Sequence, residues 1–118
     1  MNNNKYSSVW LLLVQFVAKE GIRFNDLIDS EGREEKENYE GAWANVIVKA
    51  NSISEAIEIT PKGLAEKNFK MVFIDKAENL NSLIENKELD NSVVNEVDWL
   101  LSTEFVFMIS DKVFPFTK

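Results

Sequence analysis

Hydrophobic and polar residues fall along this chain in blocks that each predict one element. Residues 1–7 are polar, with three consecutive Asn, and predict a loose tail. From Val9 to Lys19 apolar side chains fill both sides of an extended run. Val9, Leu11, Leu13 and Val17 point one way, and Trp10, Leu12, Val14 and Phe16 the other. A strand apolar on both faces needs cover on both, so it is either central or turned toward an oligomer interface. Residues 20–40 hold Gly21, Gly32 and a charged run from Asp29 to Glu40, which predict a long exposed hairpin connection. Phe24, Leu27 and Ile28 anchor it, either extending the first strand or forming a short turn of helix.

Ala42 to Ala50 alternates as a second strand, with Ala42, Ala44, Val46 and Val48 on one face and Trp43, Asn45, Ile47 and Lys49 on the other. Ser52-Ile-Ser-Glu55 is a capping box, and Ile53, Ala56, Ile57, Thr60 and Leu64 follow it at helical spacing. Pro61 predicts a kink or a restart, with Thr60 as a second N-cap. Phe69 to Asp75 reads as a third strand. Asp75 is then placed to cap a helix holding Leu80, Leu83 and Ile84. Asn91 to Ser102 carries Val93, Val94, Val97, Leu100 and Leu101 as one apolar helical stripe. Glu104 to Ser110 alternates as a fourth strand, leaving a short tail from Asp111 to Lys118.

The order β-β-α-β-α-α-β predicts an α+β fold: a two-layer sandwich with a four-stranded, mostly antiparallel or mixed sheet and ferredoxin-like character. Right-handed crossovers place the helices on one face. After the tail at 1–7, residues 8–118 form a single domain. The other sheet face then lacks cover, which predicts a homodimer through that face or through the Phe-rich C-terminal strand with Phe105, Phe107, Phe114 and Phe116.

Composition narrows the chemistry. The chain has 118 residues, 45% of them hydrophobic, enough for one core without staples. It has no Cys and no His, so disulfides, zinc ribbons, thiol nucleophiles and the commonest general base are excluded. Its glycines stand at 21, 32, 41 and 63, which forms neither a dinucleotide fingerprint nor a P-loop. No Gly-x-Ser-x-Gly elbow occurs. The loop from Asp29 to Glu35 lacks the ligand alternation of a calcium loop. Glu34 and Glu35 are adjacent and face apart, and Glu96 and Asp98 do not share a helical face, so neither pair makes an acid/base dyad. No cofactor and no metal is expected.

Charge is uneven. The net charge is −7, with six acids against two bases in 29–40 and seven against two in 75–98. Such a chain repels phosphate backbones, so nucleic acid is not an expected partner. The longest apolar run, Val9 to Ala18, is too short to span a bilayer as a helix, and cleavage after Ala18 would put Phe16 where a small residue is wanted. No membrane partner and a cytoplasmic location are expected.

Among Trp10, Trp43 and Trp99, Trp43 has the best claim to exposure, because Asn45 and Lys49 share its strand face. Ser110-Asp111-Lys112 follows a strand end and reads either as a turn or as a site at the sheet margin.

The stretches Val48-Lys-Ala-Asn-Ser-Ile-Ser-Glu-Ala-Ile57 and Phe69-Lys-Met-Val-Phe-Ile-Asp75 resemble small bacterial ferredoxin-like domains of unknown function. The chain is also similar to the acidic single-domain immunity proteins of bacterial toxin systems. The resemblance covers residues 9–85 and carries over no functional residue. Small size, two acidic blocks, the long acidic loop and the missing catalytic set point to a non-enzymatic protein that docks a basic protein partner through acidic surface, an immunity protein being the concrete version, with Asp29, Glu31, Glu34, Glu35, Glu37 and Trp43 as the contact residues. The alternative is a small homodimeric ligand-binding domain or enzyme that uses carboxylates and aromatics. A purely structural homo-oligomer is a third reading.

Overall fold

The computed structural model describes residues 6–24, 27, 39–87 and 91–116, the side chains of 111 and 112 excepted. Its elements are β1 (Val9–Ala18), β2 (Gly41–Lys49), α1 (Ile53–Glu66), β3 (Phe69–Asn79), α2 (Leu80–Glu85), α3 (Asn91–Leu101) and β4 (Phe107–Phe116). The fold is α+β. Four strands form one sheet in the order β3-β1-β2-β4, and every neighbouring pair is antiparallel. β1 and β2 occupy the centre, as the doubly apolar pattern of β1 requires. Since β2 and β3 both run against β1, they are parallel to each other with β1 between them. This split β2-α1-β3 unit gives the sheet its ferredoxin-like character.

One face carries the larger core. Leu12, Val14 and Phe16 from β1 and Ala42, Ala44, Val46 and Val48 from β2 are buried there with Ala56 and Leu64 of α1. Phe16, Phe24 and Phe69 form an aromatic trio, with Phe16 edge-on to Phe69 at 4.7 Å between ring centroids. Phe24 thus anchors the chain after β1 as expected; Ile28 lies outside the described residues.

The helices do not all share that face. Val9 and Ile47, which point the other way, are buried with Leu80, Val93, Val97 and Leu100. The α2–α3 segment leaves β3 at one edge and reaches β4 at the other. It therefore crosses the second face, at the end where Trp10 pairs with Asn79 and Val48 with Phe107. The crossover rule fixed the side of α1 alone. The α3 stripe takes the second face because α1 and Phe24 already fill the first.

Several local expectations change. α1 runs through Pro61 without a restart, and the Thr60 hydroxyl donates to the Ala56 carbonyl at 2.9 Å instead of capping. The carbonyl that Pro61 leaves without an N–H belongs to Ile57, which lies on the exposed side of the helix, where the loss of a helix hydrogen bond costs least. The capping box holds: the Ser52 hydroxyl accepts from the Glu55 amide, and the Glu55 carboxylate accepts from the Asn51 amide. Asp75 caps nothing. β3 continues to Asn79 through two register shifts, and the Asn79 side chain caps α2 by accepting from Asn81. β4 starts later than predicted and includes most of the expected tail, because Val113 to Phe116 pairs with Gly41 to Ala44. Ser110-Asp111-Lys112 is therefore neither a turn nor a strand end. Tyr6 and Ser7 belong to the domain: the Tyr6 hydroxyl donates to Asp98 at 2.7 Å, and Asn79 donates to the Ser7 carbonyl.

Candidate functional site

Among the described residues, two exposed aromatic surfaces remain once the cores are filled. The first lies on the half of the second sheet face that α2–α3 does not reach. Residues directly paired across strands point to the same face. Phe73 pairs with Gln15, Gln15 with Trp43, and Trp43 with Phe114, so these four side chains form one row across all four strands. Trp43 is half-buried and meets Phe73 edge-on, at 5.1 Å and 89°. Phe73 is 43% exposed and Phe114 58%. Below the row, the Phe116 ring lies over Gly41 toward Val17, in space that any Cβ at 41 would occupy. Lys70, Lys76 and Glu78 pair with Val17, Leu13 and Leu11 on this face, so its β3 rim carries both signs of charge. Lys76 approaches Glu78 at 3.9 Å, a solvent-screened pair of little energetic consequence.

The second surface is a corner between α3 and the start of β4. Trp99 and Phe105 stack at 6.4 Å with their planes 21° apart. Trp99 is 53% exposed, Phe105 64%, and Val106 adds to the patch. Glu96, Asp98 and Glu104 neighbour these rings along the chain. Ser92, Asn95, Glu96, Trp99 and Met108 line a groove of about 490 Å³. Glu96 is half-buried and accepts a 2.7 Å hydrogen bond from the hydroxyl of buried Ser110. The Lys49 ammonium donates to the Leu100 and Thr103 carbonyls at 3.0 and 2.8 Å, fastening the end of α3 to the sheet. A cation satisfies the last carbonyls of a helix in this way.

Trp43 and Trp99 exchange roles relative to the sequence reading. Lys49 signalled exposure of the Trp43 face, but it is spent on the end of α3. Trp99 is the tryptophan that stands open, with Glu96 lining the same groove. Its position in the helix already hinted at this, because Trp99 lies between Val97 and Leu100 but off their buried stripe. Trp10 is half-buried and donates its indole N–H to the Ala50 carbonyl. Asp29, Glu31, Glu34, Glu35 and Glu37 lie outside the described residues; their segment joins the sheet at Gly41, two residues before Trp43.

Among the described residues, no three carboxylates gather at metal-binding spacing, and no helix is long and apolar enough to cross a membrane. Searches against protein-family models, curated proteins and solved structures found no match for this chain.

Proposed function

We propose that this protein is a non-enzymatic binding protein that docks a basic protein partner, in the manner of an immunity-type inhibitor of a bacterial toxin. The observation that carries the reading is the Trp99–Phe105 pair, stacked and more than half exposed, with Glu96 lining the groove beside Trp99. Tryptophan is among the residues most enriched in binding hot spots, where a rigid ring supplies large contact area. This corner belongs to the acidic block at 75–98 and the turn that follows it, and the 29–40 block adds to the field that draws a cationic partner in. In this reading the acidic residues from Asp29 to Glu37 speed encounter, and the corner holds the complex.

The test is capture of proteins from a cell extract on the immobilised chain, with wild type and Trp99→Ala side by side. A basic protein retained by wild type, released by moderate salt and lost with Trp99→Ala supports the reading. A retained protein indifferent to salt and to Trp99→Ala sinks it.

A second reading rests on the groove beside α3. Buried Ser110 fixes one oxygen of Glu96 next to an open indole, an arrangement suited to a small cationic ligand. The groove is open rather than closed, so it ranks second. Saturable binding of a guanidinium or ammonium compound, abolished by Ser110→Ala and by Trp99→Ala together, would raise it to first.

A further inference from the structure

We infer that the groove beside α3 receives an arginine side chain of the basic partner, its guanidinium lying on the Trp99 indole and paired with the Glu96 carboxylate. The inference rests on the basic-partner reading and names the chemistry by which the corner takes hold.

The groove is one face of a helix set beside a strand. Ser92, Asn95, Glu96 and Trp99 follow one another at i, i+3, i+4 and i+7 along α3, and Met108 of β4 completes the lining. This face is distinct from the buried Val93–Val97–Leu100 stripe, and Ser92, Asn95 and Trp99 are all exposed. Glu96 and Trp99, three positions apart, are neighbours on it. A carboxylate attracts a cation by charge, and an open indole attracts one through its ring face. Among the described residues that line the groove, Glu96 carries the one charge.

The sheet beneath favours a planar cation. The Ser110 hydroxyl, 2% exposed, donates to Oε1 of Glu96 at 2.7 Å and restricts how the carboxylate turns. A carboxylate accepts at about four positions, so it can hold Ser110 and a cation together. A guanidinium meets an oriented carboxylate with two parallel N–H bonds and stacks flat on an aromatic ring. An ammonium is a strongly hydrated point charge that gains less from either. Ser110 thus acts through Glu96, as a positioning residue.

The shape of the groove selects a protein side chain over a free molecule. The groove is open to solvent, whereas small-ligand sites bury most of their ligand. Phe105, stacked on Trp99, and Val106 after it extend the exposed surface and give the body of a protein something to cover.

Two measurements on the full chain test the inference. The first is titration with N-acetyl-arginine amide or its lysine counterpart, read at the Trp99 indole N–H by NMR. The arginine compound should shift this signal saturably with Kd on the order of 10 mM, and the lysine compound should bind about five-fold more weakly. Glu96→Gln keeps an acceptor for Ser110 and should weaken the arginine compound about five-fold. Ser110→Ala should bring the two compounds within about two-fold of each other, a loss of preference that general loosening of the fold does not produce. Circular dichroism verifies the folding of each variant. The second measurement is release of the captured basic protein, which about 50 mM of the arginine compound should achieve better than the same concentration of the lysine compound. No shift at Trp99, or equal binding of both compounds, overturns the inference, and the basic-partner reading survives if Trp99→Ala still abolishes capture. An arginine compound bound more tightly than ~100 μM, or one that binds while no basic protein is captured, makes the occupant a free molecule and overturns the inference from the other side.

Discussion

The row on the sheet and the corner at α3 are both aromatic and both exposed, yet they are built differently. In the row, aromatic side chains come from three strands that are distant in sequence, and Trp43 is already half-covered by Phe73. At the corner, Trp99 and Phe105 lie six positions apart on one turn of chain. The row's β3 rim mixes Lys70 and Lys76 with Glu78, and the corner sets Glu96 beside Trp99. The difference teaches that exposed apolar area marks an interface, while the charge around it selects the partner.

The largest expected effect is on partner capture. Trp99→Ala should weaken retention of the basic partner by about 2 kcal/mol or more, roughly 30-fold, and leave sedimentation unchanged. Full retention by Trp99→Ala would overturn the assignment of the corner as the contact surface. Next comes the floor of the row. Alanine at Gly41 would drive its Cβ into the Phe16 carbonyl oxygen and bring it within 2.8 Å of the Phe116 ring and 2.9 Å of Val17. Gly41→Ala should therefore lower unfolding stability by about 1–3 kcal/mol, seen as a lower urea midpoint. An unchanged midpoint would mean that Phe116 yields freely and that the row has no fixed floor.

A smaller effect is expected where the corner is fastened. Lys49→Met keeps the apolar stem but removes the ammonium from the Leu100 and Thr103 carbonyls. About 1 kcal/mol of stability should be lost, and partner capture should weaken along with it because α3 ends at the corner. Capture that ignores Lys49→Met would show that the corner does not depend on this anchor. The smallest effect belongs to Phe114→Ser, which should change monomer stability by less than about 0.5 kcal/mol, since the ring is mostly in solvent. A larger loss would show that Phe114 belongs to the fold itself.

Much of the architecture was legible in short-range pattern. The alternation of β1 and β2, the Ser52–Glu55 box and the Val93–Val97–Leu100 stripe each specify their element locally. The failures share a cause. Asp75 reads as a cap because charges are rare inside strands, but an edge strand tolerates them at its register shifts. Pro61 reads as a break because the sequence does not show that Ile57 faces water. The two surfaces were only half legible. Trp43 and Phe114 were both visible as aromatics, but only the pairing register puts them side by side. The α3 crossing, decided by which face was still vacant, exposes Trp99 and hides the meaning of Lys49.

The order β3-β1-β2-β4 also has a consequence for synthesis. β4 is made after the other six elements, and it alone closes the outer side of β2. Until it docks, the backbone of Val46, Ile47 and Val48 presents an unpaired, strongly β-forming edge. A pause in translation between α3 and β4 would lengthen that interval. Such a pause should divert nascent chains toward aggregates or chaperones rather than give them time to fold.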